Sequence, residues 1–263
     1  MLFSWLRGRR RREILHRPFP AAWREILRSN VRQVDWLGDD ERARLQGWIT
    51  VFLAEKRFEG CGGFEITDEV RILIAAQAGL LVLGLEGEWF DRLQSILVYP
   101  SDYLVPRVTP LAGGGELEWQ EARLGETWGG GSMVLSWTGV RDGARMRDGP
   151  RSVVIHECAH LFDLRGGEID GTPAFDSPAA GRRWREGIAA CRDRFDELLD
   201  EGRSLPFDDY AAESPIEFFA VASECFFQDP HRLSRHDRQL YDLFVEAYRQ
   251  DPKTRVPVRA GRS

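Results

Sequence analysis

Hydrophobic residues recur at helical spacing in the first third of the chain. Five of them form one apolar stripe: Leu45, Trp48, Ile49, Phe52 and Leu53. This i, i+3, i+4, i+7, i+8 spacing predicts an amphipathic helix within residues 39–60. Thr67 or Asp68 is a suitable cap for a second helix that continues through Leu83, and its almost wholly apolar sequence predicts that it lies in the core. A shorter helix at residues 21–27 precedes both.

Shorter segments with strand character follow in the middle of the chain. Residues 95–99 (SILVY) and 105–109 are β-prone and adjoin prolines, and residues 133–137 (MVLSW) form a third predicted strand. Glycine clusters at 113–115 and 129–131 lack the spacing of phosphate-binding loops and are typical of turns. We therefore expect a small sheet of modest strands.

Helical periodicity returns in the last part of the chain. It predicts a long amphipathic helix over residues 184–202, a second that begins around Ser214, and a third over residues 234–250. The sequence after Pro252 is polar and basic. Helices that flank a small sheet indicate an α+β protein that is mainly helical.

The composition narrows the class of protein. Hydrophobic residues make up 43% of the chain, which includes 9 Trp and 15 Phe, so the chain can bury a core of its own. The 36 Lys and Arg against 42 Asp and Glu give a net charge of −6, which argues against a dedicated nucleic-acid-binding protein. The longest nearly apolar run, residues 72–85, is interrupted by Gln77 and is shorter than the roughly 20 residues that span a bilayer.

Cysteine usage and the N-terminus favour the cytoplasm. The four cysteines form no CxxC pair and are too few for a disulfide scaffold, which fits a reducing compartment. The arginines at 7 and 9–12 follow Phe3 and Trp5, whereas the charges of a secretory signal come first. We expect residues 1–17 to be a basic, flexible end, and contact with anionic lipid or another protein is the alternative.

One motif carries most of the chemistry: residues 153–162 read VVIHECAHLF and contain H-E-x-x-H. On a helix, His156 and His160 are one turn apart on one face, so both imidazoles can bind the same metal ion while Glu157 projects beside them. Catalytic zinc takes three protein ligands and a water molecule. The ion lowers the pKa of that water toward about 7, and Glu157 is placed to take its proton.

The alternative is that both histidines are core residues bonded to the backbone, with Glu157 on a solvated face. The flanking sequence argues against this alternative. Asp148-Gly149-Pro150 is a good helix start and Gly166-Gly167 a good stop, and the residues between are too apolar to leave Glu157 exposed. We therefore predict a zinc site.

The third ligand has more than one candidate. A metzincin would need Gly at 163 and His at 166, but the chain has Asp163 and Gly166. The other histidines lie in polar surroundings, so a carboxylate from a later helix is favoured. Glu217 and Glu224 are seven residues apart on one helix face, so one can bind the metal while the other supports it. Glu217 also completes a capping box with Ser214, in which it would only satisfy a backbone N–H.

Asp163 is a further carboxylate on the stripe that carries the two histidines. It follows His160 by three residues, where it can accept the second N–H of a ligand imidazole. The alternative is a helix-end residue bonded to the loop at 165–171. The spacing alone leaves both roles open.

Several separate stretches carry a family resemblance. They are residues 52–63 (FLAEKRFEGCGG), 65–69 (EITDE), 95–100 (SILVYP), 156–163 and 210–227, in this order. Together they resemble the Mlc titration factor A family of bacterial zinc peptidases over most of residues 18–250. The catalytic core of that family resembles the peptidase domain of anthrax lethal factor, which implies a gluzincin with a small sheet beside the active-site helix. The chain departs from the family at Arg151-Ser152, where members tend to carry His-Asn.

The resemblance implies both a site and an activity. By this resemblance, the zinc ligands are His156, His160 and Glu217, the general base is Glu157, and Tyr210 directs its hydroxyl at the developing oxyanion. The family is one of cytoplasmic peptidases with aminopeptidase-like character that act on peptides. Some members bind the glucose-responsive transcriptional repressor Mlc, so a repressor of this kind is an implied partner.

These inferences predict one metallopeptidase domain over residues 18–250. It comprises a helical layer at 18–88 and a catalytic core at 89–250, between the basic N-terminus and a loose tail at 251–263. We expect an extended peptide to lie along an edge strand, for which residues 133–137 are our prediction.

The competing hypothesis is a non-catalytic protein that titrates a repressor through a surface shaped by zinc. A purely structural zinc would need a fourth protein ligand and would require neither Glu157 nor Tyr210. The presence of both residues favours the enzyme.

Overall fold

A layer of helices forms the N-terminal part of the fold in a computed structural model that describes residues 2–87, 89–101, 103–110, 116–123, 125–128, 131–147, 149–167 and 170–257. The layer consists of α1 (Leu2–Leu15), α2 (Ala21–Asn30), α3 (Asp39–Glu55) and α4 (Asp68–Val82). Thr67 caps α4 by accepting a hydrogen bond from the Val70 amide, and α4 is buried along almost its whole length. Both features agree with the pattern of the sequence.

The helix predicted within residues 39–60 is shorter than its apolar stripe indicated. α3 ends at Glu55, and Arg57–Gly60 is a strand, β1. The change of direction occurs at Lys56, whose ammonium group donates to the carbonyls of Phe90 and Leu93. The prediction was wrong at this end because pairing with a distant strand, which the local sequence does not encode, overrides helical periodicity.

A mixed sheet joins the helical layer to the rest of the molecule. Its strand order is β1, β2 (Ser95–Tyr99), β6 (Ser132–Ser136) and β5 (Gly125–Trp128). The first three are parallel, and β5 runs antiparallel to β6. β3 (Tyr103–Pro110) and β4 (Glu116–Arg123) form a separate antiparallel pair, and β3 contains the strand predicted at 105–109.

The segment predicted as the edge strand is inside the sheet. Residues 132–136 pair with β2 on one side and with β5 on the other, so β5 takes the edge position. The strand also ends one residue early, because Ser136 accepts a hydrogen bond from the Gly139 amide and caps helix α5 (Trp137–Arg145). The order of strands depends on long-range pairing, and the sequence pattern carried no signal for it.

Five further α-helices follow in the part of the chain that the structure describes. They are α6 (Val153–Asp163), α7 (Pro178–Asp200), α8 (Pro215–Gln228), α9 (Pro230–His236) and α10 (Arg238–Tyr248). α6 begins after Ser152, not at the predicted Asp148-Gly149-Pro150, since the Ser152 hydroxyl accepts from the Ile155 amide. The single helix predicted over 234–250 is two helices, because Asp237 leaves helical geometry and caps α10 through the Leu240 amide. The architecture is a mainly helical α+β fold, as predicted.

Both ends of the chain contain structure that the sequence did not predict. The predicted flexible segment 1–17 contains α1, and Arg11 makes two hydrogen bonds of 2.7 Å to the Glu55 carboxylate of α3. At the other end, the Val256 carbonyl accepts a hydrogen bond of 2.7 Å from His231. Residues 251–257 of the predicted loose tail therefore pack on the domain, and residues 258–263 lie outside the described part. None of the helices described in the structure has the length and apolar character required to cross a bilayer.

Candidate metal centre

The two histidines of the H-E-x-x-H motif share one face of α6. The His156 and His160 rings are 4.8 Å apart between centroids and nearly perpendicular. Glu157 follows His156 and is 3% exposed, so the apolar flanks bury it as the sequence indicated. Ser152 caps the helix immediately before the motif. The local sequence therefore fixes the helical spacing that brings both imidazoles to one point.

α8 supplies the carboxylate that faces these imidazoles. Pro215 is at the start of this helix, and the Ser214 hydroxyl accepts a hydrogen bond of 3.1 Å from the Glu217 amide. The Glu217 side chain is turned toward α6. Its Oε2 lies 3.0 Å from His156 Nε2, and its Oε1 lies 3.8 Å from His160 Nε2. The backbone amide of Glu217 thus donates to the helix cap, while its carboxylate faces the two imidazoles.

The donor set formed by His156, His160 and Glu217 fits a divalent metal ion. One ligand atom from each of these residues lies within 4.8 Å of the other two. Tetrahedral zinc with bonds of about 2.0–2.1 Å places neighbouring ligand atoms about 3.3 Å apart. This value lies between the 3.0 Å and 3.8 Å that separate the Glu217 oxygens from His156 Nε2 and His160 Nε2. Glu217 Oε2 is also buried with no hydrogen bond of good geometry among the described residues. Two imidazole nitrogens and one carboxylate oxygen are donors that zinc accepts.

The electrostatics of the site favour a cation. Burial lowers the pKa of His156, but the adjacent carboxylates of Glu217 and Glu224 outweigh burial and raise the pKa well above its ordinary value. Burial and the neighbouring His156 lower the pKa of His160 to about 4. Burial would raise the pKa of Glu217, yet the close contact with His156 outweighs burial and lowers it. A metal ion can take the place of the proton that His156 would otherwise hold.

Glu224 lies on the other side of the His156 ring. Its Oε1 is 2.9 Å from His156 Nδ1, and its Oε2 accepts a hydrogen bond from the Ser152 amide. A carboxylate in this place sets the ring orientation and leaves Nε2 as the nitrogen that faces Glu217. Glu217 and Glu224, which are seven residues apart on α8, therefore face the two nitrogens of a single imidazole.

Asp163 is a helix-end residue bonded to the following loop, which is one of the two roles that the spacing left open. It is fully buried, and its Oδ2 accepts a hydrogen bond of 2.7 Å from the Gly171 amide. Neither Asp163 Oδ1 nor His160 Nδ1 has a hydrogen-bond partner among the described residues. Burial raises the pKa of Asp163 to about 6. The structure thus shows Asp163 bonded to the loop after the helix and not to an imidazole.

Tyr210 borders the site from a short 3₁₀ turn, Asp209–Ala212. Its ring centroid is 6.3 Å from that of His156, and the side chain is 38% exposed. Asp208 caps the turn by accepting a hydrogen bond of 3.1 Å from the Tyr210 amide, and Arg151 forms an ion pair with Asp208. Asp208 is not among the site residues predicted from the sequence. Its position in the sequence was the available signal, because aspartate is a favoured capping residue and lies two positions before the tyrosine.

The chain resembles known metallo-peptidases over most of its length. The profile of the family described as glucose-regulated metallo-peptidase M90 matches residues 5–249. The chain is 34% identical over 245 residues to the uncharacterized protein slr2042 of Synechocystis sp., which covers 92% of this chain and 89% of that protein. It is 32% identical over 244 residues to Mlc titration factor A of Yersinia pestis and of Yersinia pseudotuberculosis, which covers 90% of this chain and 87% of each relative.

Proposed function

The chain belongs to the glucose-regulated metallo-peptidase M90 family, and from this premise we propose that it is a zinc-dependent peptidase that hydrolyses peptide bonds. The family resemblance inferred from the sequence is thereby confirmed. The observation that carries the proposal is the convergence of His156, His160 and Glu217 from two buried helices. Their two nitrogens and one carboxylate are the ligand set of catalytic zinc sites that leave one position open.

In this mechanism His156, His160 and Glu217 would hold the zinc ion. The bound ion supplies Lewis-acid polarisation and lowers the pKa of a water molecule. Glu157, adjacent to His156 and almost fully buried, takes the proton of the attacking water and passes it to the leaving amine. The Tyr210 hydroxyl donates a hydrogen bond to the oxygen on which negative charge develops. Glu224 orients His156 from its second nitrogen.

We place the substrate along β5, because this strand, and not residues 133–137, forms the edge of the sheet. α6 packs against β5, so the edge runs beside the helix that carries the motif. An extended peptide can add to such an edge through backbone hydrogen bonds. We further propose aminopeptidase-like cleavage and a cytoplasmic location. The four free cysteines support a reducing compartment.

A second function, binding of a transcriptional repressor, is favoured by the name of the Yersinia relatives, Mlc titration factor A. We propose an Mlc-like repressor as a protein partner of this chain. Such binding is compatible with peptidase activity. It becomes the main function if the protein cleaves no peptide.

Metal analysis combined with a peptide-library cleavage assay tests the proposal. The purified protein should contain about one zinc ion, lose cleavage on chelation and regain it with zinc. Aminopeptidase character predicts removal of the first residue from peptides with a free N-terminus and no cleavage of acetylated copies. A zinc-loaded protein that cleaves no peptide but binds an Mlc-like repressor would establish the titration hypothesis instead.

A further inference from the structure

A buried polar side chain of α4 bonds to the residue that caps the helix of the two histidines. Gln77 is fully buried, and its Nε2 donates to the carbonyls of Leu73 at 3.1 Å and Val140 at 3.0 Å. Both partners are acceptors only, so they fix the amide with its nitrogen toward them. Gln77 Oε1 consequently faces the opposite side, where it accepts a hydrogen bond of 2.7 Å from the Ser152 hydroxyl.

Ser152 passes this contact on to the site. Its single hydroxyl proton goes to Gln77, while its oxygen accepts from the Ile155 amide at 3.2 Å and caps α6. Its backbone N–H donates to the Glu224 carboxylate, whose other oxygen lies 2.9 Å from His156 Nδ1. Gln77, Ser152, Glu224 and His156 therefore form one continuous chain of hydrogen bonds across α4, α6 and α8.

A glycine of α5 makes room for this chain. A Cβ at Gly143 would lie 2.9 Å from Ser152 Cα and 3.0 Å from Gln77 Oε1, closer than side chains normally approach. The backbone of α5 thus packs directly on the contact between Gln77 and Ser152. Close packing of this kind leaves the two groups little freedom to separate.

We propose that Gln77 is a positioning residue of the metal centre, acting on His156 through Ser152 and Glu224. Without the Gln77 side-chain amide, the Ser152 hydroxyl loses the acceptor that fixes its rotation. The start of α6 then loses its hydrogen bond to α4. The ring of His156 is then held less firmly in the orientation that binds metal. The inference rests on the proposed zinc ligands. Loss of a side chain that bonds directly to a metal ligand costs about 10-fold to 100-fold in affinity, so we expect the lower end of this range for Gln77, which acts through Ser152 and Glu224.

The chain offers a matched control in Gln228. This residue is equally buried, and its Nε2 donates to a carbonyl of the same helix α5, that of Gly143, at 3.1 Å. Its Oε1 has no hydrogen-bond partner among the described residues. Replacement of Gln228 by leucine removes a comparable buried amide that bonds the backbone of α5 and makes no hydrogen bond to Gln77, Ser152, Glu224 or His156.

The test measures zinc dissociation constants by chelator competition, with thermal melts of the metal-free proteins. Q77L should weaken zinc binding about 10-fold, whereas Q228L should lower the melting temperature and leave zinc affinity unchanged. S152A should weaken zinc binding at least as much as Q77L. The double variant Q77L/S152A should bind zinc no more weakly than S152A, because both changes break the same chain. Q77M, with its flexible side chain, replaces Q77L if the latter does not fold.

Two results would overturn the inference. One is unchanged zinc affinity in a folded Gln77 variant, and the other is full additivity of Q77L and S152A in the double variant. A wild-type protein that binds zinc but cleaves no peptide would refute the peptidase function and leave this measurement valid. The two proposals can therefore fail separately.

Discussion

Two carboxylates of α8 approach the His156 ring from its two nitrogens. Glu217 lies 3.0 Å from Nε2 and Glu224 lies 2.9 Å from Nδ1. Only Glu217 also faces His160. In the proposed function, the same helix therefore provides Glu217 to bind the metal and Glu224 to orient its ligand His156.

This difference predicts unequal losses on truncation. Glu217→Ala should reduce zinc affinity by orders of magnitude and eliminate activity, since a direct ligand and its charge are lost. Glu224→Ala should weaken zinc binding about 10-fold to 100-fold. Metal-free Glu217→Ala should melt near the wild type, because the cap at Ser214 uses the Glu217 amide and not its side chain. Chelator competition and melts measure both quantities, and near-normal zinc affinity in Glu217→Ala would assign the ligand role to another carboxylate.

The turn that carries Tyr210 yields a second prediction at this scale. Asp208→Ala removes the acceptor for the Tyr210 amide and the partner of Arg151, so we expect kcat to fall about 10-fold with zinc affinity intact. Asp208→Asn keeps an oxygen that can accept the amide and loses only an ion pair whose arginine is largely exposed. It should stay near wild-type kcat. Equal kcat in the wild type and Asp208→Ala would show that the cap does not position Tyr210.

At the scale of elements, the central position of β6 changes the outcome expected for a proline at Leu135. On an edge strand, this substitution would weaken peptide binding more than zinc retention. Leu135 is instead fully buried and pairs with Val98 and Gly125 on its two sides. Leu135→Pro removes a backbone donor inside the sheet, so we expect loss of the cooperative melt together with zinc and peptide binding.

The edge strand β5 provides the selective test. Neighbouring residues of a strand direct their backbone N–H groups to opposite sides. Of the N–H groups of Glu126 and Thr127, one therefore points toward β6 and the other toward the open edge. Proline at the outward position should keep the melt and the zinc while weakening peptide binding. Proline at the inward position should destabilise the sheet. Unchanged peptide affinity in both folded variants would exclude β5 as the substrate strand.

At the scale of the whole molecule, local patterns were predictable and long-range pairings were not. Helical spacing predicted the shared face of His156 and His160, because both residues belong to one turn of one helix. The choice of Glu217 as the third metal ligand came only from the family resemblance, because the spacing alone also allowed Glu217 to be a capping residue. The end of α3 at Glu55 and the place of β6 depend on strands distant in sequence. Gln77 looked like a mere interruption of an apolar run because its partner Ser152 is 75 residues away.

The peptidase mechanism depends most on Glu157, which is buried beside the metal centre. Peptide cleavage and zinc content measured on the same preparations of wild type and Glu157→Gln test it most directly. The amide cannot take the proton of the attacking water, so we predict a folded variant with wild-type zinc content and no detectable cleavage. Undiminished turnover by zinc-loaded Glu157→Gln would contradict the mechanism.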